Sequence, residues 1–118
     1  VYARHQRHAE ATRAAVRGWG LEVLALDERE YSPVLTAVLL ADDQDADEVR
    51  RVVLENYDMS LGAGLTKLAG RVFRIGHLGH FNDLMLAGTL AGVQMGLQRT
   101  GIKIDPSGIQ AALEVLGR

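Results

Sequence analysis

The sequence predicts an α/β (α+β) domain: a small, mostly antiparallel sheet with helices on one face and a long N-terminal helix at its border. Three observations carry this. Apolar residues recur at spacings of three and four in several separate stretches, the mark of helices with one buried side. Residues 34–40 and 71–76 break that rhythm and read as strands. The chain has 118 residues, and a domain of that size buries roughly two-thirds of its unfolded surface, so one core suffices.

Residues 2–19 read as the first helix. His8, Thr12, Ala15, Val16 and Trp19 fall on one side, while Arg4, Arg7, Arg13 and Arg17 crowd elsewhere. Gly18 and Gly20 end it. Residues 22–26 form a short strand and residues 27–33 a polar loop closed by Pro33. Residues 34–40 hold only Thr36 as a polar side chain, which suits a strand covered on both faces or at the sheet centre. Asp42, Asp43, Asp45, Asp47 and Glu48 then gather before an amphipathic run. Acids suit the positive end of a helix, and Asp45 with Glu48 has the offset of a capping box. Ala46, Val49, Val52, Val53 and Tyr57 form the expected buried stripe. A metal site is the competing reading of these acids, but a calcium loop needs a different pattern.

Residues 61–70 contain Gly62, Gly64 and Lys67. Their Gly-Ala-Gly-Leu-Thr-Lys run lacks the Gly-Lys-Ser/Thr ending of a phosphate loop. They read as the connection toward the next strand. A helix begins near Asn82, a strong cap, with Phe81 and Leu86 at the staple positions. Leu86, Leu90, Val93 and Leu97 make one apolar stripe, and Gly88, Gly92 and Gly96 another. Glycine costs a helix about 1 kcal/mol relative to alanine, so the second stripe implies close approach of another backbone, from the first helix or a further domain. Gly101 stops this helix. Residues 102–104 alternate and suggest a short edge strand. Asp105-Pro106 reads as cap and first residue of a last helix, with Ile109, Leu113 and Leu116 inward.

Composition narrows function. A net charge of −2 and the lack of a basic cluster argue against non-specific nucleic-acid binding. The absence of cysteine excludes disulfides, zinc-thiolate sites and cysteine nucleophiles. No apolar run approaches a membrane span and no signal peptide is visible, so a cytoplasmic setting is expected. The histidines form two H-x-x-H pairs, His5 with His8 and His77 with His80. Either could hold a metal, but no third ligand sits at a telling offset, and solvated or capping histidines are commoner.

The stretch richest in chemistry is residues 71–82. Val72, Arg74 and Gly76 point to one side of a strand, Phe73 and Ile75 to the other. Arg74 is thus a cation inside a β-run, beside a glycine-bearing strand-to-helix turn. A guanidinium offers paired donors to a carboxylate, and a strand fixes their direction. The alternative is an edge-strand arginine facing water.

Phe73-Arg74-Ile75-Gly76-His77-Leu78-Gly79, followed by Phe81-Asn82 and Leu84-Met85, resembles the C-terminal region of the serine–glyoxylate and alanine–glyoxylate aminotransferases. These are class V enzymes of the fold type I pyridoxal-phosphate family. Arg4-His5-Gln6-Arg7-His8-Ala9-Glu10-Ala11-Thr12 resembles the helix leading into their small domain. Leu61-Gly62-Ala63-Gly64-Leu65, Lys67-Leu68-Ala69-Gly70 and Gly88-Thr89-Leu90-Ala91-Gly92 resemble the serine–glyoxylate branch. The likeness covers nearly the whole chain and is strongest over residues 61–97. Related sequences often carry an acid where this chain has His80, which alters charge near the turn.

The resemblance implies that residues 1–118 are one C-terminal small domain, with a large pyridoxal 5'-phosphate domain before residue 1. It implies that Arg74 binds the substrate α-carboxylate. The Schiff-base lysine belongs to the large domain, and neither Lys67 nor Lys103 matches it. The implied activity is transfer of an amino group from serine or alanine to glyoxylate or another 2-oxo acid, in a homodimer, with the isolated segment inactive. Two other readings stand beside it: a stand-alone module for small carboxylates that uses Arg74, and an oligomerisation domain that uses the glycine-striped helix.

Overall fold

The structure, a computed structural model, describes residues 2–24, 35–64, 68–76 and 82–118. Helix α1 (Tyr2–Gly18) leads into strand β1 (Glu22–Val23). Strand β2 (Leu35–Leu39) and helix α2 (Ala46–Tyr57) follow, then strands β3 (Gly62–Ala63) and β4 (Val72–Gly76), and helices α3 (Asp83–Arg99) and α4 (Gly108–Leu116). The sheet is antiparallel throughout, in the order β1-β2-β4-β3. The apolar β2 therefore lies inside the sheet, as its composition requires. The expected polar loop at 27–33 lies outside the described residues.

The register sorts the two faces. Thr36 pairs with Ile75 and Val38 with Phe73, while Ala37 pairs with Arg74 and Leu39 with Val72. Val38, Phe73 and Ile75 join Ala15 and Val16 of α1 and the adjoining Trp19, Val49 and Val53 of α2, Leu86, Leu90 and Leu97 of α3, and Ala112 of α4 in one buried cluster. Neither Ala37 nor Leu39 belongs to it. All four helices thus cover one face, and the opposite face carries Arg74.

Helix ends follow local chemistry. Asp45 accepts from the Asp47 and Glu48 amides at the start of α2, and Asn82 accepts from the Met85 amide at the start of α3. Past α1 and α3, Gly20 and Gly101 take φ of 88° and 79°. The Leu21 amide then reaches the Val16 carbonyl and the Ile102 amide the Leu97 carbonyl, each at 3.1 Å. This is the Schellman closure that glycine adopts without steric cost.

Four expectations change. Residues 102–104 do not form an edge strand: the Ile102 amide bonds back to α3, and the Asp105 amide donates to the Trp19 carbonyl (3.0 Å). The Ile102 amide is thereby used on the end of α3 instead of on a sheet edge. Helix α4 begins at Gly108, because Asp105 instead organises the preceding turn through the Ser107 amide and hydroxyl. Its inner side is Gly108, Ala112 and Val115, with Ile109 and Leu116 flanking; Leu113 is exposed. The glycine stripe of α3 meets side chains, not a backbone. A Cβ on Gly96 would collide with Val53 of α2, one on Gly92 would meet the Met59 methyl at 2.9 Å, and Gly88 faces open space. Backbone-to-backbone contact occurs instead between α1 and α4, where a Cβ on Gly18 would lie 2.7 Å from the Gly108 Cα.

The α3 glycines should therefore respond with opposite signs. Gly88→Ala should stabilise the chain by about 0.5–1 kcal/mol through helix propensity. Gly96→Ala should destabilise it by about 1–3 kcal/mol through overpacking. Urea unfolding of the two variants checks this; equal effects would contradict the packing described.

Candidate functional site

Arg74 sits in the middle of β4, flanked by Ala37 of β2 and Gly62 of β3. The alternation that buries Phe73 and Ile75 sends its side chain to the other face, as expected from the sequence. It is half-buried, and its Nε is fully buried with no hydrogen-bond partner. The side chain lies along β3: a Cβ placed on Gly62 would be 3.2 Å from the Arg74 Cβ, 3.1 Å from Nε and 3.4 Å from Nη2.

The surrounding cations behave differently. Arg7 binds Asp83, Arg50 binds Asp47, Arg51 binds Glu48 and Glu55, Arg71 binds Asp42, and Arg118 binds Glu10. Arg99 donates to the Tyr57 hydroxyl, and Arg13 and Arg17 also interact with partners. Among the described residues, Arg74 has no acid or carbonyl partner. A guanidinium fixed by a strand and free of internal anions is suited to an external carboxylate.

Four of the five acids around the start of α2 have structural partners. Asp45 caps the helix, and Asp42, Asp47 and Glu48 each hold an arginine. The Arg51 hydrogen bond draws the Glu48 carboxyl below its usual range. Among the described residues, no group of three His, Asp or Glu side chains is placed to hold a metal. His77, His80 and Lys67 lie outside those residues, and the His5 side chain is not described.

His8 has a role that the sequence did not reveal. It is fully buried, and its Nε2 lies 2.9 Å from Asp83 Oδ1. Arg7 donates through Nη2 to both Asp83 oxygens, at 2.8 and 3.0 Å, and through Nη1 to the Leu116 carbonyl at 2.9 Å. An ionised carboxylate only accepts, so Nε2 carries the proton in this pair. His8, and to a lesser extent Arg7, hold the Asp83 carboxyl below the usual carboxylate range. The node ties α1 to the first turn of α3 and the last turn of α4. Its available clues were a histidine on the apolar stripe of α1 and an acid at the start of α3, far apart in sequence.

The described residues do not fit a pyridoxal-phosphate pocket. Lys103, the one lysine among them, lines a cleft of about 440 Å³ with Asp43, Asp45 and Glu48, surroundings that repel a phosphate. Trp19 and Phe73 are buried in the helix-side core, so neither can stack on a ring from the Arg74 face.

The site thus rests on an antiparallel four-stranded sheet backed on one face by helices, and known proteins share this architecture. No protein-family profile matches the chain. Individual proteins do. A serine–glyoxylate aminotransferase of Methylorubrum extorquens is 44% identical over 117 residues, 98% of this chain and 29% of that protein. One of Arabidopsis thaliana is 46% identical over 113 residues, 95% of this chain and 28% of that protein. The crystal structure of ureidoglycine–glyoxylate aminotransferase from Bacillus subtilis superposes with a TM-score of 0.89 at 29% identity, over 98% of this chain and 30% of that one. The chain belongs to the class V, fold type I aminotransferase family and corresponds to its small C-terminal domain. It spans less than a third of the length of these relatives. No helix among the described residues is long and apolar enough to cross a membrane.

Asp83→Ala should cost about 1 kcal/mol at neutral pH, chiefly because it strands the buried His8 imidazole; Arg7 is partly exposed and keeps the Leu116 carbonyl. Asp83 has a depressed folded pKa, so its contribution is full above the unfolded value and fades as pH falls through the folded one. Urea midpoints of wild type and variant should therefore begin to converge as pH falls below about 4; a gap constant down to pH 2 would contradict the node.

Proposed function

We propose that this chain supplies the substrate-carboxylate clamp of a pyridoxal-phosphate-dependent aminotransferase, with Arg74 as the clamp. The observation that carries the reading is the strand-held Arg74 guanidinium, left without an internal anion among the described residues. The family supports it: the three relatives above are each named for transfer to glyoxylate. Glyoxylate and its small amino donors share one feature, a carboxylate on the reacting carbon. A fork of N–H donors fits that group and orients the bond at the α-carbon. Serine or alanine is the proposed donor, and glyoxylate or another 2-oxo acid the acceptor.

The cofactor and its lysine are assigned in this reading to a large domain preceding this segment, in keeping with relatives more than three times its length. The isolated segment is then inactive, and the working enzyme is a cytoplasmic homodimer. Leu84, Met85 and Met95 are exposed apolar side chains on α3, and Leu84 and Met95 share a side with the open Gly88. That is consistent with further protein covering this helix.

In the full-length enzyme, Arg74→Lys keeps the charge and loses the paired donors. The KM for the amino donor and for the oxo acid should rise roughly 10- to 100-fold, the scale of a lost charged hydrogen bond. Steady-state kinetics with both substrates checks this, and unchanged KM values would remove Arg74 from the role.

A further inference from the structure

We propose that Gly62 is a positioning residue for Arg74: the bare backbone of β3 is the surface on which the arginine side chain lies, and it sets where the guanidinium points. This rests on the reading of Arg74 as the carboxylate clamp. Gly62 and Arg74 are register partners at the edge of the sheet, where same-face side chains are nearest neighbours. The three nearest atoms to a Cβ at position 62 are all Arg74 atoms: Nε at 3.1 Å, Cβ at 3.2 Å and Nη2 at 3.4 Å. The contact thus runs from the base of the side chain to its tip. Optimal heavy-atom contact is about 3.5–4.0 Å, so any side chain at 62 forces a shift.

Backbone conformation does not explain this glycine. Among the described residues the positive-φ glycines are Gly20, Gly70 and Gly101, so Gly62 occupies a region open to alanine, and its requirement is space. Nor can β4 yield, because Phe73 and Ile75 are fully buried on the other face and β2 is bonded along the whole strand. The shift falls on the Arg74 torsions. The nearby Gly64 differs: a Cβ there would strike the Leu68 backbone and lie 3.2 Å from the Val72 Cβ, away from Arg74.

The test is a double-mutant cycle in the full-length holoenzyme, with Gly62→Ala, Arg74→Gln and the pair, read by KM and kcat for donor and acceptor. A 1 Å misplacement can cost about 100-fold, so the smaller shift that contacts of 3.1–3.4 Å demand should cost on the order of tenfold. Gly62→Ala should raise both KM values about that much while kcat changes less. In the Arg74→Gln background it should add nothing, because contacting residues couple. If Arg74→Gln raises KM and Gly62→Ala does not, β3 moves aside and the positioning role is overturned while the clamp stands. If Gly62→Ala raises KM equally in both backgrounds, its effect bypasses Arg74 and the role is again overturned. If Arg74→Gln leaves KM unchanged, the clamp itself fails, and the role with it. Should Gly62→Ala not fold, Arg74→Lys is added to remove the planar Nε and Nη2 group. Recovered folding would show that the clash is with the guanidinium, and continued unfolding would make Gly62 merely structural and overturn the proposal.

Discussion

Burial of Phe73 and Ile75 against the helices is the constraint on which the rest depends. Both are fully buried, and their β2 partners Val38 and Thr36 are buried with them. Strand side chains alternate with a period of two, so a one-residue slip would put Arg74 into the apolar core and both hydrophobes outside. An unpaired guanidinium in that core is prohibitively costly. The register is therefore fixed by the core, and the position of Arg74 on the opposite face follows from it.

The second constraint lies where α3 begins. Asn82 caps the helix, and Asp83 is gripped by Arg7 and His8 of α1. The end of β4 is held in the sheet and the start of α3 is held by this node, so both flanks of residues 77–81 are anchored. The proposed clamp thus sits on a strand held in the sheet, and the start of α3 is held as well, which is the preorganisation that carboxylate binding needs. Structure and chemistry meet at this point: the buried histidine acts as a fastener of the frame around Arg74.

Much of this was legible in the sequence. The stripe His8, Thr12, Ala15, Val16 and Trp19 is buried throughout, because a 3.6 period over a long segment is hard to mistake. The orientation of Arg74 was also legible, since alternation around Phe73 and Ile75 allows one answer. Strand β3 was not. Gly62 and Ala63 have no β propensity, and their pairing is dictated by β4 alone. The alternation of residues 102–104 misled, because local pattern says nothing of where backbone amides find partners. The spacing of Gly88, Gly92 and Gly96 announced close contact at two of three positions, but could not say that Val53 and Met59 provide it. The Arg7–His8–Asp83 node joins distant segments, and long-range polar pairing leaves no periodic trace.

Family membership and geometry converge on a division of labour. In the proposed reading this domain contributes a frame and a charged fork, and the cofactor chemistry is assigned to another part of the polypeptide. The Arg74 side chain has buried its stem against Gly62 and turned its donors to no anion among the described residues. The most direct measurement is a crystal structure of the full-length enzyme with an unreactive amino-acid carboxylate bound. That carboxylate should lie within hydrogen-bond distance of the terminal nitrogens of Arg74, with the side chain still flat on Gly62. A carboxylate held by other groups, with Arg74 turned to solvent, would contradict the Arg74 clamp.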